Sequence, residues 1–566
     1  MGAIAGLFYP NTPKPVDPAR VRAMAAAMAA RGPDGAGEWT APGVGFAHRR
    51  LATVGGTAAA QPVATDDLRY AAMLDGTILN HAALREELRR LGHRFRGDGD
   101  AEVVLRGFAE WGPSLLDRLM GGFAIAVHDA ATQTLFLARD RLGAKPLHMA
   151  MLPDGALIFA STLGGVVAHP LLRRAPDAAA VADYLTYGHV PDDACLVAGA
   201  GKLPAGHFLL VERGRPAQAP RRWWTLRDTA PTPADALLPE LRAAVLRQAG
   251  GVEVDALLLG GAGDAAIVAL LAEARTKAVR TIGTVAGEGV AARFATAPRR
   301  VGATQAAAVP DDLIAAFDEP CADPAAIDAL VAARACGPVA LAGGGAALLF
   351  GGARWRWFAI RQAWRRRWPG LGETAEDHGA IIGALPAAQV RALWSAAGRA
   401  AWRGHEPARR YGERLAAGDP LTAAMYADVS IRLPAQVLTI ADRAGMAAGV
   451  EWRSPFADPA LVSFALNLPR RLRASRTPAL THAMARHLPA LPLDPPSAPV
   501  DAWLKEAGER LACSTILAEL GWFDLHHIAR LAEAHRAGHA DHGTLLWRMV
   551  LLERSLSRLF GRSTFA

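Results

Sequence analysis

Four cysteines in 566 residues (Cys195, Cys321, Cys336 and Cys513) are too few and too scattered for a disulfide framework or a metal-type spacing. They read as reduced thiols, the state expected of a cytoplasmic protein. No run of about 18 or more apolar residues occurs, which argues against a membrane span. The N-terminus lacks a basic segment leading into an apolar stretch and a cleavage site, so no secretory leader is expected.

Half of the chain is hydrophobic (51%), so it reads as a folded globular protein, and its length is too great for one ordinary core. Two domains are expected: residues 1–215, a proline-rich linker over 216–233 that holds Trp223 and Trp224, and residues 234–566. The first part reads as short strands and turns, with helices over 18–30 and 81–91 and strands over 123–127 and 134–138. In the second, a helix over 234–248 precedes the apolar run 255–259. That run enters a glycine turn and then an apolar helix over 265–274, the strand–loop–helix unit of a doubly wound α/β domain. Helices dominate from residue 373 onward.

The net charge of +8 comes mostly from arginine. Its densest patch is Arg354-Trp355-Arg356-Trp357, followed by Arg361, Trp364, Arg365, Arg366, Arg367 and Trp368. Basic residues interleaved with aromatics can grip single strands or anionic membrane surfaces. The favoured reading is a helix that buries its tryptophans and solvates its arginines, with no nucleic-acid partner. His526, His527, His535, His539 and His542 cluster near the end of the chain, where surface or helix-cap roles are expected rather than a metal site.

The motifs are more specific. The chain opens Met1-Gly2-Ala3-Ile4-Ala5-Gly6-Leu7-Phe8 and continues to Arg31-Gly32-Pro33-Asp34-Gly35. His48-Arg49-Arg50-Leu51, Glu110-Trp111-Gly112, the run FLARDRLGAKPL from Phe136 to Leu147, and Lys202-Leu203-Pro204-Ala205-Gly206-His207 follow. Together these resemble the glutaminase half of the glutamine-hydrolysing, class B asparagine synthetases. The resemblance implies an α+β sandwich of the N-terminal-nucleophile type, followed by an α/β synthetase domain of the adenine-nucleotide α-hydrolase kind. Gly521-Trp522-Phe523-Asp524 and the stretch from His535 to Trp547 look like the tail of the subgroup associated with exosortase and exopolysaccharide systems.

The family's catalytic N-terminal cysteine corresponds to Gly2, which has no side chain and cannot be a nucleophile. The resemblance makes Arg50 the holder of a glutamine carboxylate and Asp100 the holder of its amine. The family's Asn-Gly-Glu segment reads Asp75-Gly76-Thr77 here, while Asn80 survives. Glutamine hydrolysis is therefore not expected. Arg31, Asp34, Asp140 and Arg141 are read as paired charges that hold the fold.

In the second half the family's Ser-Gly-Gly-x-Asp-Ser pyrophosphate loop corresponds to Gly260-Gly261-Ala262-Gly263-Asp264-Ala265-Ala266. Its hydroxyls are gone, and Asp264 is the one retained candidate for magnesium. The Gly-Asp/Glu-Gly-x-Asp-Glu-Leu-Phe segment reads Gly343-Gly344-Gly345-Ala346-Ala347-Leu348-Leu349-Phe350, with acids lost at Gly344, Ala347 and Leu348. The family's phosphate-steadying lysine segment is replaced by Asp494-Pro495-Pro496-Ser497-Ala498-Pro499. ATP and magnesium are the family's cofactors, and these losses argue against their use here.

Asp318-Glu319-Pro320-Cys321-Ala322-Asp323, Asp442-Arg443-Ala444-Gly445-Met446-Ala447 and Glu451-Trp452-Arg453-Ser454-Pro455-Phe456 extend the resemblance along nearly the whole chain. For Asp318, Glu319, Asp323, Asp442 and Arg443 two readings stand, ligand binding or interior ion pairing. Three functions follow: a degenerate asparagine synthetase-like amidotransferase, a regulatory pseudoenzyme beside an intact paralogue, or an ATP-dependent amide ligase fed by ammonia or a substrate amine. A homodimer and a small ligand (glutamine, aspartate or ATP) are expectations from the family alone.

Overall fold

The computed structural model describes residues 1–53, 60–216, 218–226, 232–302, 309–368, 374–415, 419–488, 501–504 and 507–561. The segment Asp494 to Pro499 lies outside these described residues.

The first half contains two six-stranded antiparallel sheets. Its strands are β1 (Gly2–Phe8), β2 (Gly35–Ala41), β3 (Val44–Arg50), β4 (Val63–Ala64), β5 (Tyr70–Ile78), β6 (Gly121–Asp129), β7 (Thr134–Arg139), β8 (His148–Met151), β9 (Leu157–Ala160), β10 (Ala200–Lys202), β11 (His207–Glu212) and β12 (Arg221–Arg222). One sheet runs β10-β8-β9-β1-β3-β2 and the other β12-β11-β7-β6-β5-β4. Strand side chains alternate between faces, and the sequence uses both. On β6, Ala124 and Ala126 join Ile4, Phe46 and Phe159 between the sheets. Phe123, Ile125 and Val127 instead pack under the His81–Arg90 and Asp100–Trp111 helices. Each sheet thus carries helices on its outer face.

The expected helix over 18–30 runs only from Pro18 to Ala26, with a separate 3-10 turn at Ala29–Arg31. Asp17 caps its start by accepting from the Ala19 N–H at 2.9 Å. The break aims the Arg31 side chain into the interior, where it meets carboxylates from distant segments.

The second half is built on a five-stranded parallel sheet, in the order β15-β14-β13-β16-β17. These strands are β13 (Asp255–Leu258), β14 (Arg280–Gly283), β15 (Ala297–Arg300), β16 (Val339–Leu341) and β17 (Glu451–Arg453). Ala256, Leu258 and Leu341 pack with the Leu237–Ala249 and Ala262–Ala274 helices. Leu257 and Ile282 cluster with Ala332 and Ala335, at the end of the Ala325–Ala333 helix. Both faces are therefore covered at the central strands β13 and β16, as a parallel sheet requires, while the edge strand β15 stays exposed. Among the described residues no helix is long and apolar enough to cross a membrane.

The halves share one apolar cluster. Val181, Tyr184 and Leu185 of the Ala178–Tyr187 helix pack with Leu330 and with Trp547 and Leu551 of the Gly543–Phe560 helix. The Tyr184 hydroxyl donates to the Arg548 carbonyl at 2.9 Å, and the Arg548 guanidinium donates to the Leu185 and Thr186 carbonyls at 2.8 and 2.6 Å.

The arginine–tryptophan patch forms the Ala353–Arg367 helix, but not with the expected sorting. Trp355 is buried, whereas Trp357, Trp364 and Trp368 are 44%, 53% and 59% exposed. Arg354 pairs with Asp428, and Arg361 and Arg365 both pair with Asp377. Two inward carboxylates thus select the arginines that turn toward the protein, leaving most of the tryptophans outside.

Candidate active site

Gly2 begins β1 with its backbone at φ +147°, where any Cβ would overlap the Arg49 carbonyl. The position lacks a nucleophile and also lacks room for one. Arg50 sits opposite Gly2 in the β1–β3 register. Arg31 reaches the same place, its Nε pointing to the Gly2 carbonyl at 3.4 Å. Asp75 on β5 is fully buried and accepts from Arg31 Nη2 at 3.2 Å. Gly2, Arg31, Arg50 and Asp75 therefore converge, with an ion pair in their midst.

The other glutamine-site candidates serve the backbone, and so do Asp34, Asp140 and Arg141, which were expected as paired charges but bond backbone groups instead. Asp100 accepts from the Ile78 N–H at 3.1 Å and ties the Asp100–Trp111 helix to the end of β5, beyond Gly76. Asn80 donates to the Arg118 carbonyl at 2.9 Å and accepts from the Met120 N–H at 3.0 Å. Asp140 accepts from the N–H groups of Phe123, Leu142, Ala144 and Lys145, and burial raises its pKa. Arg141 donates to the carbonyls of Leu116, Asp117 and Leu119. Asp34 accepts from the Ala52 N–H at 2.8 Å.

In the second half the two glycine-rich segments touch. A Cβ on Gly343 would overlap the Asp264 backbone nitrogen, so the chains meet here without intervening side chains. The Asp264 carboxylate accepts from the Leu259 N–H at 3.0 Å and from the Gly343 N–H at 2.7 Å. Burial raises its pKa to about 6, against the pull of those N–H donors. Gly260 and Gly261 connect β13 to the Ala262–Ala274 helix, and Gly263 lies in its first turn. Gly344 contributes a carbonyl that accepts from Ser454 Oγ. Ala347 is exposed, and Leu348 is buried in the apolar cluster around Phe350 and Phe456.

Magnesium takes hard oxygen donors in near-octahedral geometry. One carboxylate with both oxygens engaged by backbone N–H groups, beside glycine, alanine and leucine, does not supply that donor set. Among the described residues no three His, Cys, Asp or Glu side chains are grouped to hold a metal ion, the C-terminal histidines included.

The retained acids of the second half clasp the first. Asp442 accepts from Arg31 at 2.6 and 3.1 Å and from Lys145 at 2.9 Å. Burial alone would raise its pKa, yet Arg31, Lys145 and Arg443 hold it well below the ordinary carboxylate range. Arg443 pairs with Asp318 at 2.9 Å, and Asp318 accepts from the Leu163 N–H, also at 2.9 Å. Glu319 accepts from the Leu196 N–H at 2.8 Å and pairs with Lys202. Asp323 accepts from Gln436 at 2.6 Å within the second half. Of the two readings open for these residues, interior ion pairing fits Asp318, Glu319, Asp442 and Arg443, whereas Asp323 meets the Gln436 amide and no counter-charge among the described residues.

Between the halves lies a cavity of about 500 Å³ lined by Thr77, Asn80, Lys145, Asp442, Glu451 and Arg453, among others. A second, of about 430 Å³, opens at the carboxyl ends of β13 and β14, beside Thr281, Thr284, Arg299 and Arg300. Sequence reasoning missed both: the walls of the first come from motif segments that lie far apart in the chain, and those of the second from segments with no motif of their own.

Family models match almost the full length. A glutamine amidotransferase domain covers residues 1–224 and an asparagine synthase domain residues 236–557. A putative glutamine-hydrolysing asparagine synthetase of Mycobacterium tuberculosis H37Rv is 29% identical over 93% of this chain and 91% of its own length. Glutamine-hydrolysing asparagine synthetase 1 of Bacillus subtilis 168 is 23% identical over 92% of this chain and 90% of its own. The chain belongs to the asparagine synthase family, with a glutamine amidotransferase domain ahead of its synthase domain.

Proposed function

We propose that this chain is a degenerate asparagine synthetase-like protein that neither hydrolyses glutamine nor forms an acyl-adenylate, and that it works as a binding or regulatory partner of an intact paralogue in the cytoplasm. The carrying observation is the contact between Asp264 and Gly343. The sole acid kept from the pyrophosphate and acid motifs is spent on backbone N–H groups of the loop itself. Gly2 adds the same lesson for the glutaminase half. Losing a positioned general base costs roughly a hundredfold to ten-thousandfold in rate, and here the candidate metal ligands are absent as well. The paired antiparallel sheets support an N-terminal-nucleophile-type sandwich for the first domain, which runs past residue 215 because β12 (Arg221–Arg222), inside the expected linker, pairs with β11. The β15-β14-β13-β16-β17 order supports a doubly wound, α-hydrolase-like domain over 234–566.

A second reading, an ATP-dependent amide ligase using ammonia or a substrate amine, draws on the 430 Å³ cavity. It lies at the carboxyl ends of parallel strands, where open α/β sheets bind ligands. Calorimetric titration with ATP and magnesium, followed by pyrophosphate-release assays with aspartate and ammonia, separates the readings. The degenerate reading expects no pyrophosphate above background. Magnesium-dependent binding with pyrophosphate release would overturn it in favour of the ligase.

A further inference from the structure

The Ala353–Arg367 helix carries no acidic residue. Its buried side is made of Trp355, Phe358 and Gln362. Trp357, Ile360 and Trp364, with Trp368 just beyond its end, follow one another at steps of three and four, so they form a single stripe. Ile360 is 41% exposed, comparable to the tryptophans, and the stripe is continuous along the helix.

The arginines divide into two sets. Arg354, Arg361 and Arg365 pair with Asp428 and Asp377 on the protein side. Arg356, Arg366 and Arg367 are exposed, and no carboxylate pairs with them among the described residues. Pro478 packs on Gly352 at the helix start, and Arg471, on the Arg470–Arg473 helix, and Arg476 are exposed ahead of it.

We propose that this face lies on an anionic lipid surface, with the tryptophans at the headgroup level and the uncompensated arginines against the acidic headgroups. Charge complementarity selects the occupant. The stripe has unpaired Arg356 and Arg367 along one edge and Arg361, which lies over Trp357, along the other, with no acid on the helix; that arrangement fits a surface that is apolar beneath and negative above. Tryptophan is favoured at the membrane–water boundary, and arginine stems lie along apolar surface while their heads stay polar. Polybasic segments are drawn to anionic leaflets, and an amphipathic helix adds its buried apolar area to that attraction. The chain would lie on the membrane and not cross it.

The test is co-sedimentation of the full-length protein with phosphatidylcholine vesicles, with and without phosphatidylglycerol. Two variants are compared: Trp357→Ser with Trp364→Ser and Trp368→Ser, and Arg356→Gln with Arg366→Gln and Arg367→Gln. All six positions are exposed, so thermal melting should match the wild type. Expected are binding to the anionic vesicles only, weakening at high salt, and a loss of about tenfold or more in either variant. No binding to anionic vesicles, or equal binding by wild type and both variants, overturns the proposal. So does either of two alternatives seen without vesicle binding: tight association with a single-stranded oligonucleotide, or a dimer that the tryptophan variant abolishes.

Discussion

Arg31 and Asp442 stand 411 positions apart in the chain and meet at 2.6 Å, both buried, at the seam between the two halves. Lys145 joins the same carboxylate from the FLARDRLGAKPL segment, and Asp75 holds the other side of the guanidinium. Removing one member leaves buried charges without their partner. Asp442→Asn should destabilise the protein by about 3–5 kcal/mol, the usual cost of leaving a buried charge unpaired. Urea denaturation measures it. A double-mutant cycle with Arg31→Met should recover part of the loss, whereas simple additivity would mean that the two do not interact.

Acid should attack the same seam. The Asp442 pKa is depressed in the folded protein, so its contribution is fully present above the unfolded value of about 3.9 and is lost as pH falls toward the lower folded value. The difference in stability between wild type and Asp442→Asn should therefore be constant from pH 7 to 5 and shrink below about pH 4. A constant difference down to pH 2 would refute the assignment.

His48 predicts an earlier pH effect. Burial pushes its pKa down to about 3, so the folded protein keeps it neutral while the unfolded chain protonates near 6.5. Its depressed pKa means stability is present above about 6.5 and falls by about 1.4 kcal/mol per pH unit below it, until roughly pH 3. His48→Gln should lose that slope. Chemical denaturation at pH 7, 6 and 5 should show the variant gaining on the wild type at each step.

Restoring a cysteine should restore nothing. Gly2→Cys places a Cβ against the Arg49 carbonyl at a positive φ, a strain of about 1–3 kcal/mol before any backbone shift. The variant should melt lower and release no glutamate from glutamine. Glutaminase activity at an unchanged melting temperature would refute the geometry at Gly2.

Leu348→Glu returns one lost acid to the second half but buries it in an apolar cluster. The cost should be several kcal/mol, with the glutamate shifting toward its neutral form rather than serving a metal. Thermal melting and pyrophosphate release together check it: a drop in the first and none of the second is expected.

Periodic features were the legible ones. Residues 255–274 predicted strand, glycine turn and helix, and they form β13, the turn at Gly260 and the Ala262–Ala274 helix. Strands β16 and β17 were not foreseen. Each has three residues, and they become strands only by pairing with each other and, for β16, with β13. The sorting of the Ala353–Arg367 helix was out of reach because tryptophan occupies both its buried side and its outer stripe, and arginine both the paired and the unpaired positions. Asp377 and Asp428, on other segments, decide which arginines turn in. The partners of Asp442 were equally out of reach, since no local pattern tells an ion pair from a ligand site when the counter-charge lies hundreds of residues away.

The apolar cluster shared by Tyr184, Leu330 and Trp547 has a consequence for how this molecule comes apart. Neither half owns that core, so neither could shed the other without opening its own interior to water. A protease cut in the proline-rich connection would leave a nicked particle that still migrates as one body and melts in one step. Whatever the chain does for a partner, it does as a single block and not as two modules on a tether.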